Sequence, residues 1–197
     1  MPTTNREEWL QLMVQELRPH FKEAGVELPE KIHVSCGWPS KRATTRKKAV
    51  GQCFSRSVSK GEYNEIFISP VKSDGIEVAA ILAHELIHAA DDCLNAHKDK
   101  FIQYAKAIGL IRPWTETHPT ELFVTALQGM INRIGAYPHP AMDAGAFKMP
   151  KQTTRLVKVI CPDPDCGVVV RMTRVYIEAE KIPTCACGML LEVAACG

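Results

Sequence analysis

The residues with the clearest chemical potential are His84, Glu85 and His88, in the segment His84-Glu85-Leu86-Ile87-His88. On a helix, positions four apart lie one above the other, so both imidazoles can address a single metal ion. Glu85 sits about 100° round the helix from His84 and can reach a water on that metal. This is the HExxH arrangement of zinc hydrolases, most often peptidases. The apolar run Val78-Ala79-Ala80-Ile81-Leu82-Ala83 precedes it and would half-bury the pair. Buried polar groups need partners, which argues against a solvated helix face that merely carries two histidines.

Two histidines do not complete a catalytic zinc site, which takes three protein ligands and leaves one position to water. The candidates for the third ligand are His97, His118, Glu121 and the pair Asp91/Asp92. Nine residues separate His88 from His97, which on one continuous helix is a rotation of about 900° and puts them on opposite sides. His97 can therefore bind only if the helix breaks between them. Asp91-Asp92-Cys93-Leu94-Asn95 supplies a plausible break, Asn95 being suited to a turn or a cap. Glu121 is the rival ligand, whereas His118 reads more readily as a histidine in a helix's first turn. His20, His33 and His139 have no partner spacing and read as ordinary surface or boundary residues.

A second constellation lies near the C-terminus. Cys161, Cys166, Cys185 and Cys187 form two turn-like pairs, while Cys36, Cys53, Cys93 and Cys196 are scattered singly. Four thiolates at tetrahedral spacing bind zinc tightly. A piece of about 40 residues has too little core to fold unaided, so a structural metal would supply much of its stability. The spacing is irregular, with four residues inside one pair and one inside the other. A Cys-x-Cys pair in an extended strand would point its sulfurs to opposite faces, so a turn is required at 185–187. Cys196 is a reserve ligand that could replace Cys185.

Positioning these groups requires a particular order of elements. Residues 5–24 read as an amphipathic helix with Trp9, Leu10, Met13, Val14, Leu17 and Phe21 at helical spacing, punctuated by Gly25 and Pro29. Strand candidates follow at 31–36, 50–57 and 65–69, the last read as a sheet edge that could hold an extended peptide. Asp74 reads as the N-cap of the metal helix, with Glu77 as its capping partner, and the helix runs to about residues 90–92. Further helices are expected over 97–108 and from about Thr117, with Pro119 in the first turn of the latter. Residues 135–154 lose the apolar period and read as a linker. Short β-hairpins then flank the cysteine pairs. The expected class is α+β, with a metal-helix domain over 1–134, the linker, and a β module over 155–197.

Charge is nearly balanced at +2, so no global polyelectrolyte argument applies. The start of the chain carries no apolar signal-peptide core and no run approaches a membrane span, from which a cytosolic, monomeric protein without a membrane partner is expected. Charge is nevertheless uneven. Residues 31–61 hold eight Lys/Arg and no acidic residue, with Lys41, Arg42, Arg46, Lys47 and Lys48 close together. Such a patch can neutralise phosphates, and it is equally compatible with a solvated loop.

Taken with Ala89, the span His97-Lys98-Asp99-Lys100-Phe101 and Ile108-Gly109, the HExxH segment resembles the SprT-like metalloprotease family. That family's pattern is HExxH-A, a variable loop, then His-Gly-x-x-Phe. The resemblance implies a zincin-like domain followed by a zinc ribbon, with His84, His88 and His97 as ligands of a catalytic zinc and Glu85 as general base. It implies protein substrates associated with or crosslinked to DNA, and a bacterial or phage-infected host cytosol, or the nucleoid, as location. The chain departs from the pattern at Lys98, where the family often has Gly, which should disturb the turn after the ligand.

The expectation is a zinc endopeptidase with one catalytic and one structural zinc and DNA as a possible partner. The alternative is a zinc-ribbon adaptor binding DNA or protein, or a transcription-associated factor, with vestigial peptidase activity.

Overall fold

The structure is a computed structural model describing residues 5–39, 49–143, 146 and 156–194. The chain is mixed α+β with three small sheets and divides into two compact units, Met1–Phe147 and Lys148–Gly197.

The first unit opens with α1 (Arg6–Glu23), where the Asn5 side chain accepts the Glu8 N–H. The six apolar residues expected to share a face are all buried. Gly25 ends the helix at φ +72°, a left-handed conformation that glycine takes without a Cβ penalty. Three strands follow: β1 (Ile32–Cys36), β2 (Gly51–Phe54) and β3 (Asn64–Ile68), in the order β1-β3-β2. β3 runs parallel to β1 and antiparallel to β2. The strand expected at the sheet edge is thus the central one, with Ile66 and Ile68 in the core, and β2 is an edge. A strand's own alternation reports which face is buried and not which neighbours flank it.

The helix α2 (Gly75–Ala90) starts as expected: the Asp74 carboxylate accepts the Glu77 N–H at 2.8 Å. Val78 through Ile87 are buried without interruption, because α2 packs against α1, α3, α4 and the sheet. Next come α3 (Asp99–Ile108), β4 (Leu110–Ile111), β5 (His118–Pro119) and α4 (Glu121–Ile134). α4 begins later than the sequence suggests. Pro119 pairs with Leu110 in the small β4–β5 sheet, and Thr120 caps the helix by accepting the Phe123 N–H.

The segment expected to begin a linker at residue 135 is folded onto the first unit through residue 142. Trp9 Nε1 donates to the Gly135 carbonyl at 2.9 Å, and the Tyr137 ring stands edge-on to Trp9 at 4.9 Å. Arg6 donates to the Pro140 carbonyl and Met142 N–H to the Pro70 carbonyl. One aromatic anchor and a few backbone hydrogen bonds dock the segment, and neither leaves a period to read.

The second unit contains β6 (Leu156–Ile160), β7 (Val169–Thr173), the short α5 (Arg174–Glu178) and β8 (Glu192–Val193). Its sheet is antiparallel in the order β7-β6-β8. Among the described residues Val159, Cys161, Cys185 and Leu191 form its buried centre. Among the described residues no helix is long and apolar enough to cross a membrane.

Candidate metal centres and the cleft beside them

His84 and His88 project from α2 on adjacent turns, as their spacing requires. His97 joins them because α2 stops at Asp91. The Asp91 side chain accepts the Asn95 N–H at 3.2 Å, and Cys93 N–H closes on the His88 carbonyl at 2.8 Å. The chain then turns through positive φ at Asp92, Cys93 and Ala96. The break expected between residues 91 and 96 is thus a tight, multiply bonded loop. Lys98 itself is extended, at φ −128° and ψ 174°, and the left-handed residue of the turn after the ligand is Asp99, at φ +43°.

A polar clamp holds this loop to the sheet. The Asp92 carboxylate accepts from the Arg56 N–H at 2.9 Å and from Asn64 Nδ2 at 3.0 Å, and Asn64 also donates to the Phe54 carbonyl. Asn64 is fully buried. Arg56 and its neighbours lie in a 3-10 turn, Arg56–Val58, directly after β2.

The three Nε2 atoms converge, His97 lying 3.1 Å from His84 and 3.3 Å from His88. A tetrahedral ion bound at about 2.0–2.1 Å separates its nitrogens by roughly 3.3 Å. Three neutral imidazoles turned Nε2 to Nε2 cannot satisfy one another, since each nitrogen is either a single donor or an acceptor; one cation satisfies all three. Phe101, fully buried in the first turn of α3, packs against all of them with ring centroids 4.5–5.0 Å away. Burial, and then the charges that His88 and His97 would carry, hold His84 down to about 3. Burial and His97 hold His88 down to about 4; burial lowers His97 as well. The site therefore presents neutral rings with free lone pairs near pH 7, the form a metal requires.

Glu85 lines the same cleft with its carboxyl against β2. Burial pushes its carboxyl up to about 8, the Cys93 thiol adds to the rise, and a backbone hydrogen bond from Cys53 opposes it. Gly51 makes room for this carboxyl: a Cβ there would overlap Glu85 Oε1 and lie 2.8 Å from its Cγ.

These groups open onto a cleft of about 1010 Å³. One wall is the edge strand, with Gly51, Gln52 and Cys53, and Val50 just before it; another is α2 with His84, Glu85 and His88. Cys93 and His97 line it from the loop, and Thr115, Glu116, Thr117 and His118 from the far side. The other proposed ligands stand apart from the histidine group. Glu121 is exposed at the start of α4, His118 is bonded to Glu116 at 3.0 Å, and Asp91 and Asp92 are used in the loop. His20 is structural, bonding the Ile108 carbonyl and stacking on Phe123. His33 pairs with Glu65.

In the second unit all four expected sulfurs meet, within 4.8 Å of one another. Cys161 and Cys187 lie 3.4 Å apart, as do Cys166 and Cys185. That is too far for a disulfide and slightly inside the roughly 3.8 Å edge of a tetrahedral ion with bonds of about 2.3 Å to sulfur. The turn required at 185–187 is present, closed by the Gly188 N–H on the Cys185 carbonyl, with Gly188 at φ +92°. The Cys187 backbone N–H helps to hold the Cys185 thiol down at about 7. Both groups fit a metal ion by donor set and spacing. Four sulfurs suit zinc or an iron–sulfur centre, and three imidazoles suit several transition metals.

Lys41, Arg42, Arg46, Lys47, Lys48 and Cys196 lie outside the described residues. Of the other basic residues in that stretch, Arg56 faces Asp92 and Lys31 faces Glu62. Gly51, Cys53, Asn64 and Arg56 were invisible as site residues in the sequence, because only the pairing of β2 with β3 brings them beside α2. No protein-family model, no curated protein and no solved structure matches this chain.

Proposed function

We propose that the first unit is a zincin-like, zinc-dependent endopeptidase of SprT-like type and the second a zinc ribbon, the protein substrates being bound or crosslinked to DNA. The observation that carries this reading is the convergence of three imidazole Nε2 atoms beside a buried carboxylate, in a cleft whose wall is an edge strand.

His84, His88 and His97 would hold the catalytic zinc, and Cys161, Cys166, Cys185 and Cys187 the structural one. A zinc ion held there would supply Lewis acidity, lowering the pKa of a water and polarising a carbonyl. Glu85 accepts the proton of the attacking water and delivers it to the leaving amine. Beside a bound cation the carboxylate form of Glu85 would be favoured, offsetting the burial that raises its pKa. An extended peptide laid along β2 would add a strand to the sheet through main-chain hydrogen bonds, giving cleavage weakly selective for sequence. DNA enters through the family resemblance and the basic residues between 41 and 48, which would track phosphates in a salt-sensitive way.

Glu85→Gln tests the reading. With zinc content and fold retained, cleavage of a DNA-bound protein should fall by about 10²–10⁴-fold, the usual contribution of a positioned acid–base group. Unchanged cellular function in that variant would favour an adaptor role in which both metals are structural.

A further inference from the structure

We propose that Cys53 and Cys93 are a modification site, closing reversibly into a disulfide that ties the edge strand of the cleft to the loop joining the second and third histidines. Cys53 sits in β2 and Cys93 in the loop after α2, 40 residues later in the chain. Cys93 Sγ donates to the Cys53 carbonyl at 3.6 Å, which sets the Cys93 thiol against the strand residue that carries the other. Both are only partly buried and both line the cleft, so a small oxidant can reach them. Among the described residues no other cysteine lines it.

The anchors on either side are firm while the span between them is short. β2 is registered on β3 through Gly51–Phe54, and the loop is pinned by Asp92 to Asn64 and Arg56. With the Cys93 sulfur already against the Cys53 backbone, the crosslink closes when the two sulfurs reach the bond length of about 2.05 Å. Cys93 occupies a left-handed conformation, at φ +63°.

The oxidant is a small disulfide of the glutathione class. One protein thiol loses its proton to solvent and its sulfur attacks the small disulfide, expelling one thiolate. The second protein thiol, likewise deprotonated, attacks the protein sulfur of the mixed disulfide and expels the other. One S–S bond breaks and one forms, the protein loses two electrons and two protons, and two small thiols leave. The crosslink would draw the loop against the strand beside Glu85 and obstruct a peptide approaching β2. That consequence rests on the peptidase reading, whereas the crosslink itself does not.

The test uses the zinc-loaded full chain, treated with oxidised glutathione, quenched by alkylation and digested for mass spectrometry. A peptide pair joined through Cys53 and Cys93 is expected, removed by dithiothreitol and missing from Cys93→Ser. Recovery of both cysteines alkylated, or only as separate glutathione adducts, overturns the site, and this wild-type result stands even if the variant fails to fold. The crosslinked chain should cleave a protein substrate at least tenfold more slowly, with recovery on reduction. Undiminished cleavage by the crosslinked chain overturns the obstruction. A crosslink in a chain with no cleavage in either redox state upholds the site and sinks the peptidase reading instead.

Discussion

Gly51 and Glu85 compete for one volume: the carboxyl of Glu85 lies where a side chain on Gly51 would begin. The glycine is required here by close approach and not by backbone conformation. Gly51→Ala should displace the carboxylate by about an ångström while leaving the three histidines in place. A misplacement of that size can cost about 10²-fold in rate. Zinc content, measured beside cleavage, should be unchanged; loss of zinc together with activity would show that the strand and the metal helix move as one.

The two candidate metal centres belong to separate units, so their losses should be independent. The full chain should carry two metal ions. Cys161→Ser should lose one and retain the other, and His97→Ala the converse, as read by elemental analysis of the purified chains. Loss of both ions from either variant would contradict the assignment.

Phe101 fills the space beneath all three imidazoles. Phe101→Ala removes a fully buried ring, with a stability cost of about 3–5 kcal/mol. It should also weaken zinc binding, by about tenfold to a hundredfold if ring orientation matters as much as outer-shell support usually does. Phe101→Leu, which keeps most of the volume, should recover the larger part of both. Competition with a chromogenic chelator measures the affinity.

Acid and base should destabilise the metal-free chain for different reasons. His84 and His88 have folded pKa values of about 3 and 4, below their ordinary 6.5. Their contribution is complete above about pH 6.5 and is lost as pH falls through the folded values, because the unfolded chain takes up protons that the folded one refuses. Glu85 has the opposite sign. Its folded pKa of about 8 lies above the ordinary 4.5, so its contribution is present at low pH and lost as pH rises from about 4.5 to about 8. Two histidines outweigh one carboxyl below about pH 6.5, and the carboxyl acts alone above it. Stability from these groups should therefore peak near pH 6.5, then fall by on the order of 2 kcal/mol toward pH 8. Glu85→Gln should abolish that fall. Trp9, Trp38 and Trp114 all lie in the first unit, so tryptophan fluorescence in urea reports its unfolding.

Local patterns in the chain were enough to locate both candidate ligand groups. The i, i+4 spacing puts His84 and His88 on one helix face whatever surrounds them, and Asp74 caps that helix through its own third neighbour. The same geometry made a break after Asp91 a condition for His97. Thiol spacing marked the second group and demanded the turn at 185–187. These are properties of a few consecutive residues, and the tertiary structure does not alter them. What the sequence could not decide were relations between distant segments. Whether β3 is an edge or a centre depends on which strands pair with it, and the pairing puts β2, not β3, along the cleft. Tyr137 looked like linker until Trp9 met it, and Pro119 like helix until Leu110 paired with it. Gly51 became a site residue only when β2 came to lie across Glu85. Long-range packing sets which surfaces meet, and neither periodicity nor spacing along the chain encodes that meeting.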